Sequence, residues 1–157
     1  MKWKGVNMQK VLFICTHNSA RSQMAEAILR VKYGDSFQAL SAGINPTKLN
    51  PIVKKVMAEI GIDMSNHKSK HINLFMDQKI DVVVTVCDFA KENCPFFPGA
   101  KQYMHKNFPD PSQFSGSEEE ILNNVRMVRD EIIKWIDTEF RLSQRIRKKS
   151  INFKVKM

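Results

Sequence analysis

Short apolar runs alternate along the chain with stretches in which apolar residues recur every three or four positions. Residues 10–14 form the first apolar run, which is typical of a buried strand. From Ser19 to about Lys32 the apolar positions have helical spacing, and Gly34 lies near the expected C-terminal end of this helix. The pattern therefore predicts a strand followed by a helix.

The same alternation continues through the rest of the sequence. Residues 37–41 are predicted as a second strand, and Asn50 before Pro51 predicts the start of a second helix, which ends at Gly61. Residues 81–86 are rich in β-branched apolar residues, as expected of a central parallel strand. The remaining predictions are a polar loop at 62–71, a short helix around 72–78, a shorter strand at 101–104, and a long helix from a Ser117/Glu120 capping box to about Phe140.

This order of elements predicts a single α/β domain of three layers. We expect a four-stranded parallel sheet in the order 2-1-3-4, with helices on both faces. In that order strands 1 and 3 are neighbours, and ligands bind outside their C-terminal ends. Cys15 ends strand 1 and Cys87 ends strand 3, so we expect the two thiols to meet in space.

Length and charge limit the class of protein. The length of 157 residues suits one domain, with residues 1–9 as a short leader, 10–140 as the domain and 141–157 as a basic tail. The net charge is +9, and the tail holds seven basic residues and no acidic one. We interpret the tail as a solvated or frayed extension, with contact to nucleic acid or to an anionic membrane as the less favoured alternative. No nucleic-acid or membrane partner is expected.

The three cysteines indicate reactive thiols rather than structural disulfides or a metal site. The first apolar run is too short for a signal peptide or a membrane span, so a reducing cytoplasm is the expected location. An odd number of cysteines does not suit a secreted disulfide scaffold. No two cysteines have the spacing of zinc ligands, and His67 and His71 have no nearby Cys or Glu partner. We therefore predict that no metal is bound.

The segment from Cys15 to Ser22 has the pattern C-x5-R-S and connects the first strand to the first helix. A loop of this length can turn successive backbone N–H groups inward, and the helix adds its positive N-terminal end. Arg21 offers a planar fork of donors, and Asn18 tolerates a left-handed backbone. The segment, which we name the anion loop (residues 15–22), therefore predicts a cradle for a tetrahedral oxyanion. Its predicted oxyanion-binding residues are Thr16, His17, Asn18, Ser19, Ala20 and Arg21.

Cys15 is the predicted nucleophile of the anion loop. The helix N-terminus and Arg21 favour the thiolate, so we expect the pKa of Cys15 to fall from about 8.5 toward the range of about 3.5–7.5 found for reactive cysteines. We expect Ser22 to hydrogen-bond the sulfur and steady it. The alternative is a buried cysteine at a strand end that precedes an arginine by chance.

Residues 11–22 and the following Met-Ala-Glu-Ala resemble the phosphate-binding loop and first helix of two related families. One is the low-molecular-weight protein tyrosine phosphatases, and the other is the thioredoxin-coupled arsenate reductases built on the same fold. Both families use an aspartate before a proline as general acid, so the resemblance gives this role to Asp110. The similarity covers roughly residues 9–140, through the further segments 41–43, 61–67, 81–94, 110–111 and 128–132.

The second and third cysteines distinguish the two families. Cys87 and Cys94, with Pro95 after them, resemble the redox segment of the reductases, which the phosphatases lack. In an intact helix the Cα atoms of residues 87 and 94 are about 10 Å apart, which is too far for a disulfide. We therefore expect residues 88–98 to be mobile and to rearrange on oxidation. The alternative is that Cys87 is a core residue and Cys94 is incidental.

The resemblance implies a thioredoxin-coupled arsenate reductase. In this mechanism Cys15 attacks arsenate, Asp110 protonates the departing oxygen, and Cys87 attacks Cys15 so that arsenite leaves. Cys94 then attacks Cys87, and thioredoxin reduces the resulting Cys87–Cys94 disulfide. Phosphate and sulfate are expected to compete with arsenate. No metal or organic cofactor is expected to take part in the redox step.

Some reductases of this type bind potassium beside the loop. Asn18, Glu26 and Ser41 match three of the side-chain ligands of these reductases, whereas Lys70 stands where the fourth ligand is acidic. We expect the Lys70 ammonium to take the place of the cation and to pair with Glu26. The alternative is an exposed lysine with no special partner. The resemblance with this substitution predicts little dependence on potassium.

Two other functions remain as alternatives. The first is a phosphatase acting on phosphotyrosine or small aryl phosphates, because the same cradle accepts phosphate; weak phosphatase activity is expected in either case. Ser112 and Gln113 follow Asp110-Pro111, where such phosphatases usually place an aromatic residue, and this disfavours the phosphatase interpretation. The second is a module that senses oxyanions or oxidants without turnover.

Overall fold

In the described part of the chain, four parallel strands form one sheet. The computed structural model describes the backbone of residues 8–156, and the side chains of residues 8–141 and of residue 144. The strands are β1 (Gln9–Cys15), β2 (Phe37–Gly43), β3 (Val82–Thr85) and β4 (Gln102–His105). Their order across the sheet is β2-β1-β3-β4, and all pairings are parallel. The predicted strand order is therefore confirmed.

The helices begin where the sequence supplies caps. The side chain of Asn50 accepts a hydrogen bond from the N–H of Ile52, with Pro51 at the first helical position. The Ser117 hydroxyl accepts from the N–H of Glu120 at 3.1 Å, as the predicted cap requires. The helices are α1 (Arg21–Tyr33), α2 (Pro51–Ala58), α3 (Asp88–Asn93) and α4 (Glu118–Lys156), with short 3-10 helices at Ile72–Phe75 and Pro111–Gln113.

Several predicted boundaries are wrong. Helix α1 begins at Arg21 rather than Ser19, because the residues before it belong to the anion loop. The short helix expected around 72–78 is a 3-10 helix of four residues, and β3 is shorter than 81–86.

The long helix differs most from its prediction. Helix α4 continues to Lys156, beyond its expected end near Phe140. The charged side chains beyond Arg141, and residues 1–7 of the predicted leader, lie outside the described residues.

Both faces of the sheet are covered. Residues Val11 to Ile14 of β1 are all 0% exposed, and successive strand residues point to opposite faces. Helix α4 packs against α1 and α2, whereas α3 contacts β1 and β3. This arrangement confirms the predicted three-layer α/β fold. Within the described range, none of the helices has the length and hydrophobicity required to cross a bilayer.

The inner face of α4 provides a test of the core. Ile132 is fully buried in the core cluster, whereas Met127 on the same helix is 61% exposed. We expect Ile132→Ala to lower the free energy of unfolding by about 2–5 kcal/mol, because it removes buried methyl groups and leaves a cavity. Met127→Ala is the matched control, with an expected change within about 0.5 kcal/mol. Urea denaturation measures both, and equal effects would contradict this account of the packing.

Candidate active site

The anion loop joins β1 to α1 and turns back on the Cys15 sulfur. Asn18 has a φ of 50°, the left-handed conformation that the sequence predicted for it. This conformation places the backbone N–H of Asn18 3.2 Å from Cys15 Sγ, to which it donates. The loop therefore directs a backbone donor at the sulfur where it begins.

Ser22 is the closest side-chain partner of the sulfur. Its Oγ lies 2.8 Å from Cys15 Sγ. The Asn18 Nδ2 group donates to the same Oγ at 2.7 Å, so the single hydroxyl hydrogen of Ser22 is available to the sulfur. The predicted contact between Ser22 and Cys15 is thus present, and Asn18 fixes its direction.

The expected low pKa of Cys15 is wrong for this arrangement. The residue is 3% exposed, and burial raises the pKa of the Cys15 thiol. Hydrogen bonds from Ser22 and Asn18 and the charge of Arg21 act in the opposite direction, but burial has the larger effect. The sequence reasoning counted the nearby positive charge and omitted the cost of removing the thiolate from water.

Arg21 brings the predicted general acid to the loop. Its Nη2 lies 3.6 Å from Asp110 Oδ2, and its Nη1 donates to the carbonyl oxygen of Phe108 at 3.2 Å. Asp110 also accepts from the N–H and the hydroxyl of Ser112, both at 2.9 Å, which holds its carboxylate at the start of a 3-10 helix. The Asp110 side chain is therefore positioned at the mouth of the anion loop.

Cys87 lies against the anion loop, as the strand order predicts. Its Sγ is 3.4 Å from the Thr16 hydroxyl, which belongs to the residue next to Cys15. The same sulfur accepts from the N–H of Ala90 at 3.4 Å and so caps α3. Helix α3 thus starts at one predicted redox cysteine, and its first turn directs an N–H group at the sulfur.

Cys94 is the residue that follows the last turn of α3. All three cysteines are free thiols, and Cys94 is half-buried with its Sγ donating to the carbonyl oxygen of Pro95 at 3.4 Å. It lines a cavity of about 400 Å³ whose walls include Thr85 and His105. The two cysteines of the predicted redox pair therefore lie at the two ends of one short helix.

The other residues of the anion loop have different surroundings. His17 and Ser19 line an open groove of about 710 Å³ that also contacts Ser112. The His17 ring is turned toward the neighbouring loop, with Nδ1 3.0 Å from the carbonyl oxygen of Asn45. Ala20 is buried and precedes the first residue of α1. The side chains of His17 and Ser19 therefore lie at the rim of the loop, and anion binding by the backbone of Thr16 to Ala20 stays a prediction.

Sequence reasoning missed two residues that support the loop. A Cβ atom on Gly43 would lie 2.9 Å from the Asn18 backbone nitrogen and from two other loop atoms, so only glycine fits there. Gln23 Nε2 donates to the Asn18 side-chain oxygen, to the Asn18 carbonyl oxygen and to the carbonyl oxygen of Lys68. The glycine at a strand end was a usable signal, whereas nothing in the sequence marked Gln23.

Comparison with known proteins agrees with this geometry. The family described as "Low molecular weight phosphotyrosine protein phosphatase" matches residues 10–151. The chain belongs to this family. Within the family, an arsenate reductase of Halalkalibacterium halodurans is 44% identical over 133 residues, which cover 85% of this chain and 96% of that protein.

Solved structures of the family resemble the chain in the same way. One, an arsenate reductase in its phosphate-binding state, has a TM-score of 0.73 at 28% identity and covers 83% of this chain and 95% of its own. A thioredoxin-dependent arsenate reductase of Corynebacterium glutamicum has a TM-score of 0.60 at 29% identity, covering 85% and 64% of the two chains. The resemblance predicted from the sequence, and with it the prediction of an enzyme of the arsenate reductase group, is confirmed.

Lys70 lies beside the residues that the sequence matched to potassium ligands. Its Nζ donates to the carbonyl oxygen of Lys68 at 2.9 Å, and it lies 3.5 Å from Ser41 Oγ and 3.9 Å from Glu26 Oε1. The Asn18 side-chain oxygen accepts from the N–H of Lys70. Lys70 is thus close to Glu26, and replacement of potassium by its ammonium stays a prediction. Among the described residues, no cluster of three or more His, Cys, Asp or Glu side chains is placed to hold a metal ion.

Removing the Ser22 hydroxyl tests its effect on the thiol. The Ser22 hydrogen bond lowers the pKa of Cys15, so Ser22→Ala should raise that pKa further and move thiolate formation to higher pH. A charge-assisted hydrogen bond corresponds to a shift of about one to two pH units. The rate of Cys15 alkylation against pH measures it, in protein with Cys87 and Cys94 replaced by Ser. Ser36→Ala, at the opposite end of the sheet, is the control and should not change the pH dependence of Cys15 alkylation. If Ser22→Ala also leaves this pH dependence unchanged, the Ser22 hydroxyl does not lower the pKa of Cys15.

Exchanging the Lys70 charge tests whether the ammonium replaces potassium. Potassium should not change the melting temperature of the wild-type protein, because the ammonium already pairs with Glu26. Lys70→Asp adds a carboxylate and removes the ammonium, so potassium well above its Kd should stabilise this variant by about 1–3 kcal/mol. Sodium at equal concentration is the control. Potassium stabilisation of the wild type, or none of the variant, would refute the replacement.

Proposed function

We propose that the chain reduces arsenate to arsenite through a relay from Cys15 to Cys87 to Cys94, and that thioredoxin regenerates it. The observation that carries this proposal is the 3.4 Å contact between Cys87 Sγ and the Thr16 hydroxyl. It puts a second thiol beside the loop that holds Cys15. A phosphatase needs one nucleophilic cysteine, whereas a reductase needs a second thiol within reach of the first.

The first step is attack on arsenic in the anion loop. The backbone N–H groups, the N-terminus of α1 and the Arg21 guanidinium bind the oxyanion. The Cys15 thiolate, held by Ser22 and the N–H of Asn18, attacks arsenic, and one oxygen leaves as water with a proton from Asp110. The product is a covalent bond between the Cys15 sulfur and As(V).

The second step transfers two electrons to arsenic. The Cys87 thiolate attacks the Cys15 sulfur, and the electron pair of the sulfur–arsenic bond goes to arsenic. Arsenite leaves, and a Cys15–Cys87 disulfide forms. Cys94 then attacks Cys87, so the Cys15 thiolate is released and a Cys87–Cys94 disulfide remains. Both of these attacks take place at sulfur, so neither needs an organic cofactor.

The third step requires α3 to unwind. Cys87 and Cys94 flank its six residues, so an intact helix keeps their Cα atoms about 10 Å apart. A disulfide requires a separation of about 4.4–6.8 Å. We infer that residues 88–98 rearrange on oxidation. Phe89 and Phe96, which belong to this segment, are exposed. They give thioredoxin an apolar surface next to the disulfide that it reduces. A reducing cytoplasm suits this cycle.

Phosphate-ester hydrolysis is a second candidate activity, because the loop and Asp110 meet its requirements as well. The groove beside the loop contains polar residues such as Lys48 and Ser112, and no Phe, Tyr or Trp side chain lines it among the described residues. An aryl leaving group therefore has none of these rings to stack on, and the His17 ring is bonded to the backbone of Asn45. We expect weak hydrolysis of aryl phosphates as a side activity.

Serine variants of the three cysteines test the relay. NADPH consumption with arsenate, thioredoxin and thioredoxin reductase measures coupled turnover, and hydrolysis of an aryl phosphate measures the loop alone. Cys15→Ser should abolish both activities. Cys87→Ser and Cys94→Ser should abolish coupled turnover while hydrolysis continues, because neither sulfur is needed to cleave the ester. Retention of coupled turnover by Cys94→Ser, or no NADPH consumption by the wild type, would overturn the proposal.

A further inference from the structure

A histidine lies beside the redox cysteines in an arrangement that the relay described so far does not use. His105, the last residue of β4, has its Nε2 2.9 Å from Asp88 Oδ1 and its Nδ1 2.8 Å from Thr85 Oγ1. A carboxylate only accepts hydrogen bonds, so Nε2 carries the hydrogen that faces Asp88. The Nδ1 atom of the neutral ring is then the acceptor, and it faces the Thr85 hydroxyl. The ring is thus oriented with its basic nitrogen toward β3.

The basic nitrogen faces the side of the sheet where Cys87 and Cys94 lie. His105 is paired with Thr85 across β3 and β4, so the two side chains share one face. The backbone at Cys87 is extended, so Cys87, two residues after Thr85, also points to that face. Cys94, Thr85 and His105 line the same cavity. The cavity therefore connects the attacking thiol of the last exchange with an oriented imidazole.

The Cys94 thiol needs a proton acceptor before it can attack a disulfide. Burial raises the pKa of its thiol, and its sulfur donates to the Pro95 carbonyl oxygen, which is a contact of the protonated form. The thiolate is the species that attacks a disulfide. Cys15 and Cys87 each receive a backbone N–H donor at sulfur, which stabilises a thiolate. The Cys94 sulfur instead faces a carbonyl oxygen, which does not. A proton acceptor in the cavity would let the buried Cys94 thiol form the thiolate.

We propose that His105, oriented by Asp88, takes the proton of Cys94 through the Thr85 hydroxyl before α3 unwinds, so that Cys94 attacks Cys87 as a thiolate. The proposal rests on the relay given above as the proposed function. The Cys94 S–H donates to Thr85 Oγ, and Thr85 passes its own hydrogen to His105 Nδ1. The Cys87–Cys94 bond forms, and the Cys15–Cys87 bond breaks. Cys94 is oxidised, Cys15 leaves as the reduced thiolate, and the imidazolium returns its proton to solvent.

The charges around the ring favour this role. The Asp88 carboxylate on α3 stabilises the imidazolium that forms. Lys91, on the same helix, also lines the cavity, and among the described residues it is the lysine or arginine that does so. On β4, Tyr103 also lines the cavity, and its hydroxyl is bonded to the backbone of Phe97. The carboxylate in direct contact thus has a stronger effect on the ring than the lysine across the cavity.

A single-turnover experiment tests the proposal. Reduced full-length protein is mixed with arsenate in the absence of thioredoxin, quenched with acid and alkylated, and the two disulfides are quantified by peptide mass. The measured rate is the conversion of Cys15–Cys87 into Cys87–Cys94, and formation of the first disulfide is the internal reference. His105→Gln should slow the conversion about 100-fold at pH 7, which is the usual contribution of a general base. The rate of the variant should then follow the Cys94 thiolate and keep rising to high pH, because burial raises the pKa of that thiol.

Two further variants keep the test decisive. Asp88→Asn retains the ring but removes the carboxylate that orients it, so the conversion at pH 7 should slow by a smaller factor than in His105→Gln. Lys91→Gln changes the cavity outside the Asp88–His105–Thr85 chain and should convert within about twofold of the wild-type rate. If His105→Gln does not fold, the rate of Asp88→Asn decides.

The outcomes separate this proposal from the relay. Conversion in His105→Gln at the wild-type rate would refute the role of His105 and leave the relay intact. A wild-type rate in Asp88→Asn would refute the orienting contact of Asp88 in the same way. If the wild-type protein forms no Cys15–Cys87 disulfide with arsenate, both the relay and this proposal fail.

Discussion

The site depends on one buried asparagine. Asn18 has a left-handed backbone, and its N–H donates to the Cys15 sulfur. Its side chain donates to Ser22 and Ser41 and accepts from Gln23 and the N–H of Lys70. Every polar atom of this fully buried side chain is used, so rotating it would leave several buried groups unpaired. The position of the sulfur, the direction of the Ser22 hydroxyl and the approach of Lys70 all follow from this one residue.

Burial makes this cradle rigid and also affects its chemistry. A sulfur enclosed by the loop is held in one place, but its thiolate is separated from water, and the pKa of Cys15 rises. The contacts that lower this pKa are the same contacts that hold the loop together. Arg21 is moreover shared with Asp110 at 3.6 Å, so part of its charge is already compensated. The protein thus relies on several directed hydrogen bonds at the sulfur rather than on a single strong charge.

The sequence predicted the features that local patterns encode. The apolar runs of β1 and β3, the cap at Asn50 and the C-x5-R-S loop were recognisable, and the strand order followed from their succession. Features that depend on contacts between residues far apart in the sequence could not be predicted. The pairing of His105 with Asp88 depends on the register of β4 against β3, and the effect of burial on Cys15 depends on the packing of the whole loop. The continuation of α4 past Phe140 was missed because its charge was taken as a sign of fraying.

The proposed relay places opposite demands on its two halves, and the structure gives these halves differently buried contacts. The loop is held by contacts from which water is excluded, so opening it is costly. Helix α3 has six residues. Its first residue, Asp88, is 71% exposed, and its last, Asn93, donates to the carbonyl oxygen of Phe89 on the helix surface. Exposed contacts of this kind exchange readily for water, so they stabilise α3 less than buried contacts stabilise the loop. The Cys87 sulfur contacts both halves, since it meets Thr16 of the loop and caps α3. In the proposed relay this sulfur would therefore connect the rigid loop to the helix that has to unwind.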